Sequence, residues 1–145
     1  MQGPVRITDQ LSVAGQISPD EIADLAKQGF ATIINNRPDG EEPDQPSAAV
    51  NQAAAEQQGL RYVYQPVTTS AIGKADVTAF HHALSRASTP VLAHCRSGTR
   101  CYLLWGLSKV LFEHESPLAI VADAAHKGYD LRVLPALAEK LQAEP

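Results

Sequence analysis

Four short apolar runs alternate with stretches of helical character, and this alternation restricts the chain more than any other feature. Leu11-Ser12-Val13-Ala14-Gly15, Ala31-Thr32-Ile33-Ile34, Tyr62-Val63-Tyr64-Gln65-Pro66-Val67 and Pro90-Val91-Leu92-Ala93-His94 each read as a strand. Between the first two, Ser18-Pro19-Asp20-Glu21 combines an N-cap, a proline at the first helical position and a capping-box glutamate, opening a helix that should stop at Gly29. Ser47 caps a second helix running to Gly59, and Val77, Phe80, His81 and Leu84 recur at helical spacing within Ala75 to Ser88. The resulting order, β-α-β-α-β-α-β, predicts a mostly parallel sheet of four to five strands with helices on both faces. Three further helices follow: Thr99 to His114, Ser116-Pro117 to Gly128, and one from about Leu131 that Pro135 should kink or delay.

With 145 residues, 44% hydrophobic and 19% charged, the sequence reads as a single α/β domain with one core. Its formal net charge of -4 argues against nucleic acid or an acidic membrane as partner for the surface as a whole, so any bound anion must be held locally. No apolar run approaches the about 18 residues a membrane span needs, and the first residues lack a basic-then-apolar secretory pattern, so a cytoplasmic location is expected. Two cysteines, Cys95 and Cys101, are too few for a disulfide framework. No metal or cofactor is expected, because His81, His82, His94, His114 and His126 make no ligand spacing on one element.

In an open parallel sheet, ligands bind beyond the carboxyl ends of the strands. His94-Cys95-Arg96-Ser97-Gly98-Thr99-Arg100 falls there, between the last strand and a helix. Such a loop turns several backbone N–H groups toward one point, and the helix dipole adds partial positive charge, so an anion or thiolate is stabilised. Cys95 is therefore the candidate nucleophile, its thiol acidified by the helix start and by Arg96 and Arg100. Gly98 lets the backbone turn, Ser97 and Thr99 complete the anion-binding loop, and the Arg100 guanidinium can grip two oxygens of an oxyanion. A polar loop with three prolines, Asn35 to Pro46, leaves the end of another strand, which places Asn36, Arg37 and Asp39 as candidate walls of the site.

The loop resembles the active site of the cysteine-dependent phosphatase and rhodanese group. With Asn35-Asn36-Arg37-Pro38-Asp39-Gly40-Glu41, Pro66-Val67 and Leu104-Trp105, roughly residues 5 to 140 are similar to the phosphatase-like domain of the beta-lactamase-hydrolase-like proteins. The resemblance implies a dual-specificity-phosphatase-like fold. Some members of that family are described as sulfurtransferases, often fused to a zinc-hydrolase-like sulfur dioxygenase. These 145 residues hold no His-x-His-x-Asp-His run, so a sulfur dioxygenase acting in trans becomes a candidate partner.

Four residues separate Cys95 from Arg100, the rhodanese spacing, whereas tyrosine and dual-specificity phosphatases have five. A ring closed by one fewer residue should be narrower, so the expected activity is sulfur transfer, with a persulfide formed on Cys95 from thiosulfate or a small persulfide. The alternative is a phosphatase working through a phosphocysteine, with Asp39 or Asp76 as candidate general acids, although each also reads as a turn or helix-start carboxylate. A third reading is a non-catalytic loop that binds an anion or senses oxidants. In either enzymatic case the substrate is a small anion carrying sulfur or phosphate. His94 is expected to orient the loop by hydrogen bonds. Cys101 stands where both relatives commonly place Ser or Thr, which opens the question of whether it acts on an oxidised Cys95.

Overall fold

The computed structural model describes residues 3–145. Five strands, β1 (Val5–Arg6), β2 (Leu11–Ala14), β3 (Thr32–Asn35), β4 (Arg61–Tyr64) and β5 (Val91–His94), form one sheet in the order β1-β2-β5-β3-β4. All neighbours run parallel except the β1 and β2 pair. The two-residue β1 carries no alternation long enough to read from sequence. The other strands lie where expected, with β4 ending before Gln65-Pro66. There the ladder continues as single bonds, Gln65 N–H to Asn35 O and Val67 N–H to Asn36 O.

Six α-helices cover the sheet: α1 (Pro19–Lys27), α2 (Ala48–Gln57), α3 (Lys74–Arg86), α4 (Thr99–Glu113), α5 (Pro117–His126) and α6 (Leu134–Ala143). The caps read from sequence are in place: Ser18 and Glu21 close a capping box on α1, and Ser47 and Ser116 accept from the first turns of α2 and α5. Pro135 sits in the first turn of α6, so the proline delays that helix to Leu134.

Strand alternation divides the core in two. Ile33 and Leu92 face α1 and α2, packing with Ile22, Leu25 and Ala55. Val91, Ala93 and Ile34 face the other way, against Phe80 of α3 and the helices α4 to α6. Nine residues of α4 are buried, from Arg100 to Val110, because this helix lies against the sheet and is covered by α3, α5 and α6. No helix among the described residues is long and apolar enough to cross a membrane.

Candidate active site

The parallel register sets Ala14 of β2 and Asn35 of β3 on either side of His94, so three strand ends meet where β5 turns into α4. The turn between β5 and α4 is residues 95–98. Gly98, the N-cap of α4, has φ 95°, a left-handed conformation that only glycine takes without strain. A Cβ there would also lie 2.8 Å from the Tyr129 hydroxyl. Gly15 has a different reason to be small: its Cβ would stand 2.9 Å from the Arg96 carbonyl. The end of β2 therefore touches the loop, and Gln16 N–H donates to that same carbonyl.

Cys95 lies at the base of the cradle, 1% exposed, and its Sγ accepts the Gly98 N–H at 3.1 Å. The Cys101 thiol donates to the same sulfur and does most to stabilise its thiolate; burial opposes, and the amides of Cys101, Ser97 and Gly98 assist. Together they pull the Cys95 thiol down to about 6, so it is an anion at neutral pH. Cys101 moves the opposite way: fully buried and bonded to Cys95, it holds its proton well above the ordinary thiol range.

Arg100 reaches beneath the loop rather than into solvent. Its Nη1 donates to the Asn36 and Val67 carbonyls at 3.2 and 2.8 Å, and its Nη2 to Glu41 Oε1 at 3.1 Å. Its Nε, buried, has no partner among the described residues. Glu41 Oε1 is shared with Arg37 Nε at 2.9 Å, and Arg37 continues to Gln16 Oε1 and Glu42 Oε1. Glu42 also holds Arg96, whose side chain is 70% exposed. Burial raises the Glu41 carboxyl, but the hydrogen bonds and charges of Arg100 and Arg37 outweigh it and keep it ionised.

The structure thus brings Cys95, Arg96, Gly98, Arg100 and Cys101 together, with Ser97 and Thr99 bonded to each other at the rim. Other expected residues stand elsewhere. Asn36 is a buried support, its Nδ2 donating to the Gln65 carbonyl and its N–H to that of His94, whereas Arg37, though mostly buried, lines a cavity with Glu42 and Arg96 beside the loop. Asp39 accepts from Ala48 N–H at 2.8 Å and so caps α2. Asp76 closes a capping box by accepting from Gly73 N–H at 2.9 Å. Each carboxylate thus has one oxygen engaged at a helix start. The His94 ring is fully buried beneath the loop, and among the described residues neither ring nitrogen has a well-formed hydrogen-bond partner. Burial, opposed by the Cys95 backbone and aided by the Arg37 charge, pushes its imidazole down to about 4 and keeps it neutral. Glu41, Glu42 and Tyr129 are the site residues that sequence reasoning missed.

The chain matches the family model for the beta-lactamase hydrolase-like protein, phosphatase-like domain, over residues 5–112. It belongs to that family. A beta-lactamase hydrolase-like protein from Xylella fastidiosa is 41% identical over 127 residues, 88% of this chain. This domain spans 30% of that relative's length. A crystal structure of a candidate phosphatase from Neisseria meningitidis superposes with a TM-score of 0.85 at 35% identity, covering 94% of this chain and 96% of that one. The fold extends to Tk-PTP, with a TM-score of 0.76 at 15% identity over 98% of this phosphatase-like domain and 97% of that chain.

These findings overturn the expectation of sulfur transfer at Cys95, because the family and its solved relative are phosphatase-like. The physical error lay in reading the cradle's width from the Cys95 to Arg100 spacing. Arg100 is positioned from outside the loop, by Glu41 and by the carbonyls of Asn36 and Val67, so the number of residues between them does not choose the anion.

Proposed function

We propose that this domain hydrolyses phosphate monoesters through a phosphocysteine on Cys95. The observation that carries the reading is the Arg100 guanidinium: three bonds from its Nη atoms fix it, and its buried Nε–H is left for a bound oxyanion. The Cys95 thiolate attacks phosphorus, the bond to the leaving oxygen breaks, and water then releases phosphate from sulfur. The dipole at the start of α4 and the loop amides stabilise the phosphoryl oxygens during both steps.

Asp39 and Asp76 are engaged at helix ends, and Glu41 and Glu42 are held by arginines. The leaving oxygen therefore takes its proton from solvent, which favours acidic leaving groups such as aryl phosphates over alkyl ones. The test is phosphate release from a series of aryl phosphates and from an alkyl phosphate. We expect rates that climb steeply with leaving-group acidity and vanish in Cys95→Ser. Release that persists in Cys95→Ser would refute the phosphocysteine.

A further inference from the structure

The strand β4 is an edge of the sheet, hydrogen-bonded to β3 alone. Alternation turns Arg61, Val63 and Gln65 toward α3, which meets them with Ala79, His82, Ala83 and Arg86 at spacings of three and four. The two alanines are too short to fill the space, and a cavity of about 460 Å³ remains between strand and helix. Cavities of about 300–1,000 Å³ take small organic molecules.

Two hydrogen bonds from the sheet to the helix side fix its ends. Gln65 Nε2 donates to the Ala79 carbonyl at 3.3 Å, and Thr32 Oγ1 donates at 2.7 Å to the carbonyl of Ser88, just beyond α3. Thr32 is the register partner of Arg61, so the second bond also draws the end of α3, and with it Arg86, to the start of β4. The catalytic loop follows the carboxyl end of β5, which runs parallel to β3 and β4. Both guanidiniums therefore stand at the end of the cavity remote from Cys95.

These two arginines differ from the rest. Arg6, Arg37, Arg96, Arg100 and Arg132 are each held by a carboxylate. Arg61 and Arg86 make no salt bridge among the described residues, and no acidic side chain lines the cavity. A carboxylate laid across two guanidiniums receives paired, charge-assisted hydrogen bonds. The middle of the cavity is apolar, with Val63 opposite Ala79 and Ala83, which matches a hydrocarbon body.

We propose that this cavity binds a small amphipathic carboxylate, its anionic end between Arg61 and Arg86 and its hydrocarbon body along Val63, Ala79 and Ala83. His82, one turn before Arg86, supplies a further polar group at the wall. A peptide strand added to β4 is the lesser fit, because β4 is four residues long and a ladder on its edge would lie beside the cavity rather than within it.

The test follows amide NMR shifts of the full chain with octanoate as the probe. Acetate lacks the hydrocarbon body, octan-1-ol lacks the charge, and a short acidic peptide stands for a macromolecular partner. Octanoate should give saturable shifts confined to residues 61–65 and 79–88, with acetate and octan-1-ol binding roughly tenfold or more weakly. The Arg61→Gln, Arg86→Gln double variant should lose a similar factor; both side chains are exposed, and the dispersion of its spectrum verifies the fold. Ala79→Leu, which fills the apolar half and leaves both charges, should weaken octanoate as well. The proposal is overturned by the lack of a saturable shift, or by shifts centred on residues 95–101, which would put the anion in the catalytic cradle. Equal binding of octan-1-ol and octanoate would leave only an apolar groove, and tighter binding of the acidic peptide would assign the groove to a protein partner; either result also overturns it.

Discussion

The Cys95 sulfur is the most consequential atom, and its charge has a definite pH dependence. Its thiol is lowered to about 6, so below that pH it is protonated and unreactive, and above it the thiolate persists. Alkylation of Cys95 by iodoacetamide should accordingly rise with pH around a midpoint near 6, and hydrolysis should share that acid limb. Because the Cys101 thiol contributes most to the lowering, Cys101→Ala should move the midpoint upward; an unchanged midpoint would show that the amides alone set it. Glu41 is the second residue to test, since its Oε1 joins Arg100 to Arg37. A hydrogen bond to a charged group is worth about 1.5–3 kcal/mol, so Glu41→Gln should lower kcat/KM roughly tenfold to a hundredfold while Cys95 alkylation proceeds at its normal rate.

At the scale of elements, the two aspartates that sequence offers as general acids belong to helix ends. Asp39→Ala and Asp76→Ala should each cost about 0.5–2 kcal/mol of stability, read as a lower urea midpoint, with kcat/KM within twofold of wild type. A fall in kcat/KM of tenfold or more in either variant, at a temperature where it stays folded, would return that residue to catalysis. Gly15→Ala should do the reverse, disturbing hydrolysis more than its distance in sequence suggests, because the new methyl meets the Arg96 carbonyl. Much of this architecture was legible in advance. Ser18 with Glu21, Ser47 and Ser116 announce helix starts through local hydrogen bonds, and strands β2 to β5 announce themselves through apolar runs. The strand β1 was not, since two residues in an antiparallel edge pair leave no pattern. The Cys95 loop was readable because its parts are contiguous. Glu41 and Glu42 were not, because only the register that puts Asn35 beside His94 reveals which of sixteen acidic residues meet Arg100 and Arg96. Tyr129 arrives at Gly98 from the turn between α5 and α6, a contact that no local signal encodes.

For the molecule as a whole, a net charge of -4 coexists with a site where three arginines and two glutamates converge. Anion affinity is then a local property of the cradle, coupled to global stability through linkage. A tetrahedral oxyanion such as phosphate or tungstate should raise the unfolding midpoint, by about 2.7 kcal/mol of stability at one hundred times its dissociation constant. Arg100→Ala should lose that response, and a response retained in full would place the anion elsewhere.

The central claim, a phosphoryl group carried on Cys95, is tested most directly by rapid acid quench during turnover of an aryl phosphate, followed by peptide mass mapping. The account predicts one phosphoryl group on the Cys95 peptide, formed within the first turnover and missing in Cys95→Ser. Continued hydrolysis with no phosphoryl group on Cys95 at any quench time, or with the group on another residue, would contradict it.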